Sequence, residues 1–170
     1  MRDLVAGLLA VALLLVAVSL ATTLRLVRRR RGRDRAAERA LGRTIIVELP
    51  TSEDLVLFSE DDVRFYYGDR GIDKDLVAAV RVLINGAPIA ATVSTRHARD
   101  ARRQATSFDD RPEGIARDRW DVAIETVTAT ILVECGSVRE RVSQELARGV
   151  YEAVKRDIDR RNLESRHHDP

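Results

Sequence analysis

The chain has 170 residues, 33% of them charged and only 4% aromatic, with a net charge of +2. That length holds one domain of ordinary size once an N-terminal apolar stretch is set aside. Residues 1–43 carry ten Arg against Asp3, Asp34 and Glu38, leaving 19 basic and 24 acidic side chains, a net −5, for residues 44–170. Nucleic-acid binding needs basic charge on the folded part, so an acidic domain argues against a nucleic-acid partner.

Lysine occurs only at Lys74 and Lys155, and Arg replaces it along the whole length, a bias expected of a GC-rich genome. Cys135 is the one cysteine. It permits no intramolecular disulfide and gives no reason to place the chain in an oxidising compartment.

Leu4 to Leu24 (LVAGLLAVALLLVAVSLATTL) is uninterrupted by charge. A helix of about 20 such residues spans the ~30 Å hydrocarbon core of a bilayer. The expectation is therefore a transmembrane anchor over residues 1–27. The rival is a cleaved signal peptide, but its apolar region is usually about 7–15 residues long and follows a basic start. Arg2 stands alone before the helix, whereas Arg25, Arg28, Arg29, Arg30, Arg31, Arg33 and Arg35 follow it. That asymmetry predicts a single-pass protein of the cell (inner) membrane, N-terminus out and C-terminal domain in the cytoplasm. The same seven arginines are the expected membrane-surface contact, against anionic lipid headgroups. Residues 28–43 then read as an Arg-rich juxtamembrane linker, helical or flexible, ended by Gly42.

Residues 44–160 are expected to form one small α+β domain with a mixed or antiparallel sheet. Thr44–Leu49 is short and β-branched, bounded by Gly42 and Pro50, and suits a strand. Leu55–Phe58 and Val63–Tyr67 flank the polar Ser59-Glu60-Asp61-Asp62 and suggest a hairpin. Residues 72–93 admit two readings. The spacing of Leu76, Val77, Val80, Leu83 and Ile84 fits one face of a helix, followed by a strand over 88–94. Asn85-Gly86 equally suits the tight turn of a hairpin. The spacing favours the helix. Residues 96–119 are charged and turn-rich, and predict a long mobile loop or contact surface. Trp120 to Cys135 alternates as a strand, with a change of parity that predicts a bulge or turn near Glu125-Thr126. Ser137-Val138-Arg139-Glu140 matches a capping box, after which Val138, Val142, Leu146, Val150, Val154 and Ile158 mark a long amphipathic helix. Residues 161–170 read as a frayed polar tail.

No catalytic constellation emerges, and no catalytic, cofactor or metal residue is assigned. His167 and His168 fall in the tail, and His97 sits among arginines. Cys135 takes an apolar parity, which predicts a buried thiol. Glu60, Asp61 and Asp62 lack the spaced pattern of a calcium loop and read as a solvated turn. Gly68-Asp69-Arg70-Gly71 lacks phosphate-loop spacing.

Thr128 to Ile158, with its alternating strand ending in Glu134-Cys135-Gly136 and the helix SVRERVSQELARGVYEAVKRDI behind it, resembles the alkaline-shock-protein family and its membrane-anchor relatives. Gly136 and Gln144 stand near positions that family would occupy with such residues, and residues 72–93 compare with its earlier helix and strand. Cys135 departs from the family's aromatic residue, and the family's final strand is missing. The resemblance implies a small α+β domain without chemistry of its own, which recruits homologous soluble proteins in envelope stress. The sequence thus predicts a membrane-tethered, non-enzymatic interaction or scaffold module without cofactors. The alternative is the small anchor subunit of a larger membrane complex, with the helix carrying the specificity.

Overall fold

In a computed structural model the chain divides into two units, residues 1–41 and 42–170. The structure describes residues 2–51, 55–97 and 118–167. The expected 96–119 loop therefore lies almost wholly outside the described residues, as does His168.

The first unit is a single helix, α1 (Arg2–Ala40), which runs without a break through the segment expected to be a linker. The transmembrane anchor, and with it the single-pass localisation, requires correction. Among the described residues no helix is long and apolar enough to cross a membrane.

The second unit is α+β. Strands β1 (Thr44–Pro50), β2 (Leu55–Glu60), β3 (Arg64–Tyr67) and β4 (Arg70–Asp73) form one antiparallel sheet in sequence order. A 3-10 turn at Lys74–Leu76 leads into β5 (Val77–Ile84), β6 (Ala87–Val93), β7 (Arg119–Thr126) and β8 (Thr130–Ser137). These four make a second antiparallel sheet in the order β6-β5-β7-β8. Helix α2 (Arg141–His167) packs across the second sheet and reaches β1 of the first.

The hairpin, not the helix, forms between residues 77 and 93. Asn85 and Gly86 take φ of 52° and 82°, the left-handed pair that a two-residue hairpin turn requires. The helical spacing misleads because β5 lies between β6 and β7 and is buried on both faces, so its apolar residues run on without alternation. The parity change after Ile124 is a turn. Thr126 closes it, its amide and hydroxyl both donating to the Ala129 carbonyl at 2.8 Å.

One core joins the three layers. Phe58 and Phe65 stack with ring centroids 5.9 Å apart. With Leu49 and Ile72 they meet Val80, Val82, Val122, Ile124 and Val133 from the second sheet and Ala147, Val150, Val154 and Ile158 from α2. Burying each large aliphatic side chain contributes about 1.5–3 kcal/mol. The helical stripe is displaced from its expected start, since Val142 is exposed and Ser143 takes the buried position. The capping box does not form either. Ser137 ends β8 and accepts from the Arg139 amide at 3.3 Å, while Glu140 accepts from the Ser143 hydroxyl. The expected frayed tail continues the helix as far as His167.

Two glycines set the approach of α2. Gly136 has φ of +109°, and a Cβ there would lie 2.5 Å from Ser143 Oγ; a Cβ at Gly149 would lie 2.7 Å from Val47 Cγ1. We expect Gly136→Ala to lower the unfolding free energy by about 2–4 kcal/mol, since it adds backbone strain to overpacking. Ser143→Ala should recover only the part due to the clash, leaving the backbone term. Urea denaturation of the single and double variants measures both.

Candidate functional site

A cleft of about 310 Å³ in the second unit lies between the start of β1, the β2–β3 turn and α2. The turn forms because Asp61 Oδ1 accepts from the Val63 and Arg64 amides at 2.8 and 2.7 Å, and its Oδ2 accepts from the Tyr66 hydroxyl at 2.7 Å. Burial alone would raise the Asp61 pKa. The Tyr66 hydrogen bond, the two amides and the Lys74 charge outweigh it and hold the carboxyl below its ordinary value. The acidic triplet is thus a turn whose central member is committed to local bonds.

Lys74 is the floor of the cleft and is 5% exposed. Its ammonium donates to Glu60 Oε2 at 2.8 Å and to the Asp61 carbonyl at 2.7 Å, and lies 4.6 Å from the centre of the Phe65 ring. On the opposite wall Arg160 donates to the buried Asp157. Asp62 and Arg156 complete the charged rim. Two cations of this cleft, Lys74 and Arg160, are each paired with an acid at contact distance. Among the described residues no group of His, Cys, Asp and Glu is arranged to hold a metal ion.

A second set of charges lies within the second sheet. Glu125 on β7 is fully buried and pairs with Arg81 on β5 at 2.6 Å. Asp121, also fully buried, has Arg119 Nε at 2.8 Å. Burial raises the Asp121 pKa against the pull of Arg119. Sequence reasoning passed over these pairs, although the one charge inside VAAVRVLI and the two inside DVAIET were a usable signal. Nothing comparable marked Lys74, which reads as one more surface cation.

The seven arginines expected to contact a membrane surface all lie exposed on α1. At ~100° per residue Arg28–Arg31 alone encircle most of the helix, so they form a charged collar rather than one face. The membrane-surface role expected for them is left without the span to which it was tied. His97 is not a free surface group, since its Nε2 lies 3.0 Å from the Asp75 carbonyl. Cys135 is fully buried, and burial first, then the charge of Asp121, push its thiol up to about 12. No family model, no curated protein and no solved structure matches the chain. The segment compared with the earlier helix of the alkaline-shock family is the β5–β6 hairpin.

Two outcomes follow from this chemistry. Asp61→Ala should cost about 1 kcal/mol at pH 7, a figure discounted for the partial exposure of the turn. Because the folded pKa is depressed, the stabilisation is complete above the ordinary carboxyl value of 3.8 and is lost as pH falls through the folded value. The gap between wild type and variant should therefore close in acid, as measured by urea denaturation across pH. Cys135 should resist a disulfide reagent at pH 8 in the native state and react fully once urea unfolds the protein.

Proposed function

We propose that the chain is a non-enzymatic interaction or scaffold module in which α1 is the docking element and residues 42–170 are the body it presents. The observation that carries this reading is on α1. Leu13, Leu14, Leu15, Val16, Val18 and Leu20 are each more than half exposed. Consecutive large apolar side chains on every side of a helix have no stable place in water, and exposed patches of this kind mark contact sites. The arginine collar directly behind them would favour an acidic rim on the partner. The alkaline-shock resemblance of residues 128–158 supports recruitment over catalysis and suggests homologous soluble proteins as what is recruited.

The test compares the full chain with residues 42–170, which have a core of their own, by quantitative mass spectrometry of co-purifying proteins and by light scattering. A protein held near equal stoichiometry by both forms makes the body the recruiting surface. Partners held by the full chain alone make α1 the specific element, as in a subunit of a larger assembly. A full chain that is monodisperse and brings down nothing at stoichiometric amounts overturns the proposal.

A further inference from the structure

Among the described residues β6 is an edge of the second sheet with no further strand beside it, and its sequence APIAATV has no charged side chain. Ala87, Pro88, Ile89, Ala91 and Val93 are exposed along it. Long uncharged edges invite pairing with another strand, and proteins usually blunt them. The first half is blunted by Pro88, which lacks an amide hydrogen, and by the irregularity between Val82 and Leu83 where β5 pairs with β6. The second half is covered differently. The Ser94 amide donates to the Ala78 carbonyl at 2.8 Å, which fixes the alternation of the ladder and turns the peptide groups of Ala91, Val93 and Thr95 away from β5. On that open side stands Asn162 of α2. Its Nδ2 donates to the Val93 carbonyl at 3.3 Å, and its Oδ1 accepts from the Thr95 amide at 2.8 Å.

One side-chain amide thus supplies the donor and the acceptor that the peptide group of a neighbouring strand would supply. Arg96 Nε donating to Ser165 Oγ at 2.8 Å, and an Arg161–Asp75 ion pair, fasten the same turns of α2 beside it.

We propose that the last turns of α2 are a latch on the β6 edge, and that its release lets β6 pair antiparallel with β6 of a second copy. A two-fold axis at Val93 sets Val93 against its own copy and Ala91 against Thr95, so every outward peptide group in this stretch finds a partner. The groups such a strand needs first, the Val93 carbonyl and the Thr95 amide, are those Asn162 holds. Self-pairing opposes no charged side chains within β6 itself. The two Arg96 would stand about 20 Å apart at ~3.3 Å per residue, beyond the ~8 Å screening length in physiological salt. The product is one sheet of eight strands with an isologous interface.

The test places a cysteine at Val93 in the full chain. Opposed residues of a hydrogen-bonded antiparallel pair have Cα atoms ~5.5 Å apart, within the ~4.4–6.8 Å of a disulfide. With oxidised glutathione, Val93→Cys should form an intermolecular disulfide slowly while Asn162 is present. It should form at least tenfold faster with Asn162→Ala or with the chain ended at Arg160. An Ile89→Cys control, whose copies the two-fold would hold roughly 26 Å apart, should gain nothing. Protection of Cys135 at pH 8 reports that each variant is folded. If the shortened chain unfolds, Asn162→Ala, which removes no core side chain, decides between the outcomes. Equal rates with and without Asn162, or equal gains at 93 and 89, overturn the proposal.

Discussion

The central strands β5 and β7 have almost no face turned to water, and most of this domain is arranged around that fact. Val80, Val82, Val122 and Ile124 meet α2 and the first sheet, while Ala79, Leu83 and Ala123 on the opposite parity are just as buried. A charge on such a strand is stable only beside its counter-charge, because removing one partner of a buried pair typically costs about 3–5 kcal/mol. Arg81 with Glu125 and Arg119 with Asp121 meet that condition. The Arg81–Glu125 pair, diagonal across β5 and β7, also specifies that these strands are neighbours, because a slip of one residue would leave buried charge without a partner, whereas Arg119 and Asp121 pair within β7 itself.

The same two-sided burial explains what the sequence disclosed and what it concealed. Where one face of an element meets water, the pattern was legible: the β1 strand, the β2–β3 hairpin and the Val150–Val154–Ile158 stripe of α2 are found where the residues place them. β5 has no wet face, so its apolar run imitated a helical period, and only Asn85-Gly86 carried the truth. Charge along the chain did not distinguish Lys74, sealed beneath a phenylalanine, from a solvated cation. Nor did the polar composition after residue 160 disclose that Asn162 and Ser165 hold a sheet edge. These roles depend on partners 69 residues distant in sequence. The apolar run of α1 suggested a span, whereas no helix among the described residues is long and apolar enough to cross a membrane.

Asp61 and Asn162 show one solution used twice. Each is a short polar side chain that takes hydrogen bonds a backbone group would otherwise need, one closing a turn and the other closing an edge. α1, by contrast, leaves large apolar side chains from Leu13 to Leu20 uncovered. The two proposed associations, through α1 and through β6, differ in kind. The first is governed by apolar area and is insensitive to register, whereas the second needs a specific alignment of amides.

The chain has two lysines, and the fold withdraws one of them. Lys74 is sealed under the Phe65 ring by Glu60 and the Asp61 carbonyl, whereas Lys155 remains partly open on α2 beside Asp159. Enzymes that acetylate, methylate or conjugate small proteins to lysine thus meet a single side-chain handle on the folded molecule. Any such mark would fall on the helix that closes the core and not on the arginine-rich arm, whose positive charge is beyond the reach of amine chemistry. The cationic character of that arm is consequently permanent with respect to lysine-directed modification.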